Sequence, residues 1–332
     1  MKTLKIAAVL SLLGSFAAPG LFAQAAPETT ADAASPAVTA PAADPFDAAA
    51  AKVGSEDPMV RRQGINLLAQ RRDPKAAPVL VKALADSSSH VRQAAVEGLG
   101  LLAWSAAAPE ISALLTDDAD AGVRQQAAIS LSYIRDPQAG PALVKALADE
   151  SPAVRYAAMR TLGTMKYVPA DGAIADMLSG TDTNMLRSAI SALGMIQSTK
   201  AVSAVISALG HQDLYMRVEA ARALGGIGDK SAQPELKNHL ADAEAALMRV
   251  ESALALSKMG FNDGLPTAQE FMASSDLSLR SQALSVIVSL GDVGSLARIE
   301  ELYAAEKDPA AKDMLDYARQ RLLDIQAAQQ KK

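Results

Sequence analysis

HVRQAAVEGLG, His90 to Gly100, returns along the chain as AVRYAAMRTLG at Ala153 to Gly163 and as YMRVEAARALG at Tyr215 to Gly225. With the arginine of each phrase as anchor, Arg61, Arg92, Arg124, Arg155, Leu186 (beside Arg187), Arg217, Arg249, Arg280 and Lys312 follow at steps of 31 or 32 residues. Such a step holds two helices of about three turns and two short turns, the size of a helical solenoid repeat.

Four residues before the anchors stand Asp57, Ser88, Asp120, Ser151, Asp182, Asp213, Ala245, Asp276 and Asp308, all but Ala245 good N-caps. Pro58, Pro152 and Pro309 follow at the first helical position, where proline costs least. An apolar residue precedes each anchor, as in Val60, Val91, Val123 and Val154, and Leu68, Leu99, Leu131, Leu162, Leu193, Leu224, Leu256 or Ile287 lies seven residues after it. A small residue between them, Ala95 or Ala127 for example, completes one buried stripe and lets helices approach closely. A second helix begins near Pro78, Pro109, Pro141, Pro234 and Pro266, with a buried column of Leu80, Ile111, Leu143, Ile174, Val205, Leu236, Ala268 and Ile299. Neither helix can bury its stripe alone, whereas stacked pairs form a continuous core. The expectation is an all-α, right-handed α-solenoid of about eight helix-pair repeats over residues 45–326, capped by a half-unit at 45–55 and by a helix bearing Leu315, Ala318, Leu322 and Ile325, with a polar tail at 327–332.

Ahead of the repeats, Lys2 and Lys5, an apolar run from Ile6 to Ala18 and Ala23-Gln24-Ala25 make residues 1–25 an expected signal peptide cleaved near Ala25. The run is too short for a membrane span of about 20 residues. Residues 26–44, rich in Ala, Pro and Thr, offer too little apolar surface to fold and form an expected disordered linker. The mature chain is thus expected to be periplasmic or secreted, without membrane insertion. It would carry 30 basic and 37 acidic residues, a formal charge of −7, which argues against a nucleic-acid partner. The chain has no cysteine for thiolate chemistry.

The repeats resemble the short HEAT-like repeats of phycobilisome-lyase-type proteins in phrases such as DPMVRRQGINLLAQ (57–70) and LGGIGDKSAQPELKNHL (224–240), over about residues 55 to 326. The resemblance implies the solenoid fold, and could imply a bilin lyase or isomerase. The expected export separates the chain from the cytoplasmic antenna proteins such enzymes serve.

No catalytic constellation appears. His90, His211 and His239 share no ligand spacing, so no metal site and no cofactor are expected. Acidic pairs such as Asp117-Asp118 sit at helix ends, and the glycines at 225, 226 and 228 lie in a turn between helices rather than after a strand. The primary expectation is therefore a non-catalytic scaffold or adaptor of the cell envelope binding a protein or peptide partner along a concave face, with an enzyme subunit or lyase-like protein acting on a modified protein as the alternative.

Two irregularities mark candidate partner-binding residues. In the turn twelve residues past the anchor, Asp73, Asp136, Asp229 and Asp292 give way to Trp104, Tyr167 and Phe261, rings that could anchor a partner or fold inward as plugs, the latter favoured by how readily rings bury. On the second helix, Val81, Lys82, Val144, Lys145 and Ile206 belong to columns that change from basic and apolar to acidic, as expected of an inner binding face or of a solvated one. The anchor arginine, one turn past the N-cap aspartate, is expected to pair with that carboxylate or a neighbouring repeat's, giving an Asp–Arg ladder along one edge.

Overall fold

A computed structural model describes residues 44–330 except residue 242. The expected signal peptide, nearly all of the linker, and the last two residues of the tail lie outside the described residues. Every described element is helical. A short α1 (Pro45–Val53) leads into first helices α2 (Pro58–Gln70), α4 (Ser89–Leu101), α6 (Ala121–Ile134), α8 (Pro152–Thr164), α10 (Thr183–Ile196), α12 (Leu214–Ile227), α14 (Ala246–Lys258) and α16 (Leu277–Leu290). These alternate with second helices α3 (Ala77–Ala83), α5 (Ala108–Asp117), α7 (Gly140–Ala146), α9 (Asp171–Asp176), α11 (Val202–Ala208), α13 (Gln233–Asn238), α15 (Leu265–Phe271) and α17 (Leu296–Ala305), and α18 (Pro309–Gln330) closes the array. The chain is an all-α solenoid.

The first helices begin where the N-caps place them. Asp57, Asp120, Asp182, Asp213 and Asp276 each accept a hydrogen bond from a backbone N–H in the first turn. Ser88 and Ser151 do not; their own N–H groups donate instead to Asp86 and Asp149. The second helices are shorter than the expected three turns, with 7 residues in α3, α7 and α11. A 3-10 turn takes up the rest of the allowance; Pro74–Ala76, capped by Asp73, is the first of them. Eleven residues past every anchor the backbone is left-handed, yet glycine occupies that position only at Gly228, Gly260 and Gly291; Arg72, Ala103, Arg135, Lys166 and Gln197 hold it elsewhere.

The expected stripes are the core. Val91, Leu99, Val123, Leu131, Leu162, Leu193 and Leu224 are fully buried, as is the second-helix column from Leu80 through Ile299. The glycine that ends the repeated phrase explains how first helices stack so closely: a Cβ on Gly194 would lie 2.7 Å from Ala223 Cα, and one on Gly225 2.8 Å from Ala255 Cα. Successive first helices therefore pack tightly from α2 to α16, whereas second helices, apart from α5 and α7, scarcely touch one another. An array bends toward its tighter layer, so the first helices line the inner side. This corrects the expectation that the second-helix columns form the inner face: the small residues that permit close approach are on the other helix. At the ends, α1 packs on α2, and α18 buries Ala311, Leu315, Ala318 and Leu322 against the last repeat.

Candidate functional site

Along one edge the anchor arginines form a ladder, but not with the N-cap aspartates. Arg61 donates from Nε and Nη2 to both carboxylate oxygens of Asp86 at 2.7 Å, Arg92 does the same to Asp118, and Arg124 to Asp149 at 2.8 and 2.9 Å. Each acceptor lies 25 or 26 residues on, at the end of the same unit's second helix. The remaining nitrogen reaches back: Arg92 Nη1 donates to the Asp86 carbonyl, Arg124 Nη1 to that of Asp118 and Arg155 Nη1 to that of Asp149. Each aspartate thus receives one arginine on its carboxylate and the next on its carbonyl, which ties consecutive units together. The earlier expectation fails because the fork of a guanidinium is satisfied best by a bidentate carboxylate plus the free carbonyls of a helix end.

The titration of these groups follows. The Arg61 hydrogen bond holds Asp86 below its ordinary value, and that of Arg124 does so for Asp149. Burial pushes Asp118 up, yet the Arg92 bond and the Asp120 N–H leave it lowered overall.

The ladder breaks in the fourth and fifth units. Arg155 has only backbone carbonyls as acceptors among the described residues, those of Asp149 and Glu150, because Gly180 and Thr181 stand where an acid is needed. Leu186 then replaces the next arginine.

The sequence-derived candidates scatter over other surfaces. Val81 and Val144 are half-buried against the core, as is Ile206, while Lys82 and Lys145 are exposed on the outer layer. Val81 lines a cleft with Leu84, Leu114 and Asp117, and Lys145 Nζ lies 3.5 Å from Asp117, so these two approach one site that the other three do not share. Trp104, Tyr167 and Phe261 are half-buried and pack on the core. The Tyr167 ring lies over Gly140, where a Cβ would meet it at 2.1 Å, and Lys230 sits 5.9 Å from the Phe261 ring. Among the described residues no three His, Cys, Asp or Glu side chains gather as metal ligands. His239 Nδ1 lies 3.0 Å from Glu244, and His211 Nδ1 accepts from the Asp213 N–H. No helix among them is long and apolar enough to cross a membrane.

The inner layer carries a concentration of side chains that sequence reasoning missed. Tyr133 and Tyr215 are 58% and 61% exposed on α6 and α12. Between α6 and α8 a cleft is lined by Gln125, Ile129, Ser132, Tyr133, Tyr156 and Arg160. The Tyr156 hydroxyl sits 3.5 Å from Asp182, and burial and that carboxylate together push its pKa up. The signal was present, since only 4% of the chain is aromatic, but it falls one, five and nine residues past the anchor, outside the columns that define the core.

This fold and stacking define a helical-repeat solenoid. The model of HEAT repeats matches residues 47–132, 108–178 and 170–257, and the chain belongs to that family. The bilin biosynthesis protein PecF of Nostoc sp. (strain PCC 7120) is 37% identical over 116 residues, covering 30% of this chain and 66% of that protein, so the chain spans just under two thirds of this curated relative. An engineered protein of known structure superposes with a TM-score of 0.50 at 19% identity, covering 84% of this chain and 89% of the other. The complex of CpcE and CpcF of phycocyanin lyase from Nostoc sp. PCC7120 is a more distant likeness, with a TM-score of 0.44 at 24% identity over 77% of this chain and 97% of that one. The PecF similarity overturns the expectation of a non-catalytic scaffold and of a chain outside the enzymes: the curated relative that the repeats match is a biosynthetic protein.

Proposed function

We propose that the chain is a lyase-like enzyme subunit acting on a covalently modified protein. The observation that carries this reading is the 37% identity to a bilin biosynthesis protein. The inner-layer cleft between α6 and α8 supports it, since it offers a tyrosine-lined wall and an exposed arginine on adjacent repeats. We further propose that the chain is exported, with Lys2, Lys5, the apolar run and Ala23-Gln24-Ala25 as the supporting residues, so that its substrate is an exported protein.

The test is a deletion strain compared with the parent by intact-mass spectrometry of exported proteins. The expected result is one protein whose covalent adduct is gained or lost on deletion and restored by complementation. An unchanged set of adducts would sink the lyase reading. Sequencing of the purified chain's N-terminus is expected to begin at Ala26; a start at Met1 would remove the export proposal.

A further inference from the structure

The anchor arginines on the edge have their acceptors, and on the inner layer Arg222 is bonded to Glu251 and Glu219. Two inner-layer arginines differ. Arg160 is exposed, and no carboxylate lies within reach of it among the described residues; Arg187 donates only to the side-chain oxygen of Asn184, at 3.1 Å. Their places in the repeat coincide with an exposed face: Tyr156 and Arg187 stand one residue past their anchors and Arg160 five, four residues and one helical turn apart. Tyr133 and Tyr215 expose their rings on the flanking first helices α6 and α12. The one acid nearby, Asp182, is occupied by capping α10 and by the Tyr156 hydroxyl. An unneutralised basic and aromatic strip therefore crosses the middle of a chain whose net charge is negative.

We propose that this strip, from Tyr133 through Tyr156, Arg160 and Arg187 to Tyr215, docks an acidic, extended segment of the protein on which the enzyme acts, with tyrosine rings packing on its apolar side chains. The proposal rests on the lyase-like reading for the identity of the partner, but on charge complementarity for its chemistry. Adjacent first helices lie about 8–10 Å apart, and an extended chain rises about 3.3 Å per residue. Carboxylates about three residues apart in the segment would thus meet Arg160 and Arg187 in turn.

The test is fluorescence anisotropy with the full chain and a fluorescein-labelled peptide of repeated Glu-Val-Thr, beside its Gln-Val-Thr counterpart and a single-stranded RNA of equal length. The Glu peptide is expected to bind, with affinity falling about tenfold or more for the Gln peptide and for R160E/R187E, and unchanged on charge reversal at Lys82 and Lys145. Circular dichroism melting establishes that the variants fold; if R160E/R187E does not, R160Q and R187Q are used singly, each expected to weaken binding. Equal binding of Glu and Gln peptides, no binding at all, or undiminished binding by the arginine variants would overturn the proposal, as would tighter binding of RNA than of the Glu peptide. Peptide binding in a chain whose deletion leaves every adduct unchanged would defeat the lyase reading alone, whereas adduct chemistry that survives in R160E/R187E would defeat the docking surface alone.

Discussion

Units one to three and units four and five are built on the same buried columns but have different edges. In the first region Arg61, Arg92 and Arg124 each clasp a carboxylate with two nitrogens. In the second, Arg155 finds only carbonyls and Leu186 has taken the arginine's place, yet Leu162, Leu193 and Ile174 are as completely buried as Leu99, Leu131 and Ile111. The comparison teaches that leucine and glycine, not the ladder, make the solenoid. The ladder fixes register where it exists, and where it lapses the neighbouring inner face presents its unneutralised arginines.

The strongest attempt to break this comparison is to cut the core in both regions. Leu131→Ala and Leu193→Ala are each expected to lose about 2–5 kcal/mol in chemical denaturation, as fully buried leucines do. A cost confined to one region would show that the columns are not equivalent. Gly194→Val comes next, at about 1–3 kcal/mol, because the new side chain would press on the Ala223 backbone. Gly172→Val is its control, since a Cβ there meets nothing within 4 Å. Arg92→Met should then cost about 1–2 kcal/mol by leaving Asp118, whose side chain is 3% exposed, without its partner, while Arg155→Met stays within about 0.5 kcal/mol. Equal losses for the two arginines would erase the distinction between the regions.

The same distinction has a pH signature. Asp86, Asp118 and Asp149 have folded pKa values below their unfolded ones, so the stability they contribute is fully present above the ordinary carboxylate value of about 4 and is lost as pH falls through the lower folded values. Melting temperature measured from pH 7 downward should therefore drop more steeply in the parent than in a variant with Arg61, Arg92 and Arg124 all changed to Met. Parallel curves would remove the ladder from the account. The smallest expected effect is a gain: Ala103→Gly relieves a left-handed backbone and should add at most about 1 kcal/mol.

Helix starts, the buried columns and the two caps were legible in the sequence because each is a local matter: an N-cap bonds within its own first turn, and a stripe is set by spacing along one helix. The docking strip was not, because Tyr133, Tyr156, Arg160 and Tyr215 share no sequence spacing and become neighbours only when first helices stack. The second-helix columns were read as an inner face for a related reason. Composition marks Val81 and Lys145 as unusual, but it carries nothing about which layer packs more tightly.

By itself, then, the sequence determined the repeat, its length, its helix boundaries and its core, since these follow from periodicity over a few turns. Tertiary structure alone decided that each anchor arginine clasps an acid 25 or 26 residues away, that the first helices form the inner layer, and that two arginines there are left without carboxylates. The physical reason is that pairing across a helix end and closeness between layers depend on how whole helices stack, and glycines at the contacts, rather than any local pattern, set that distance.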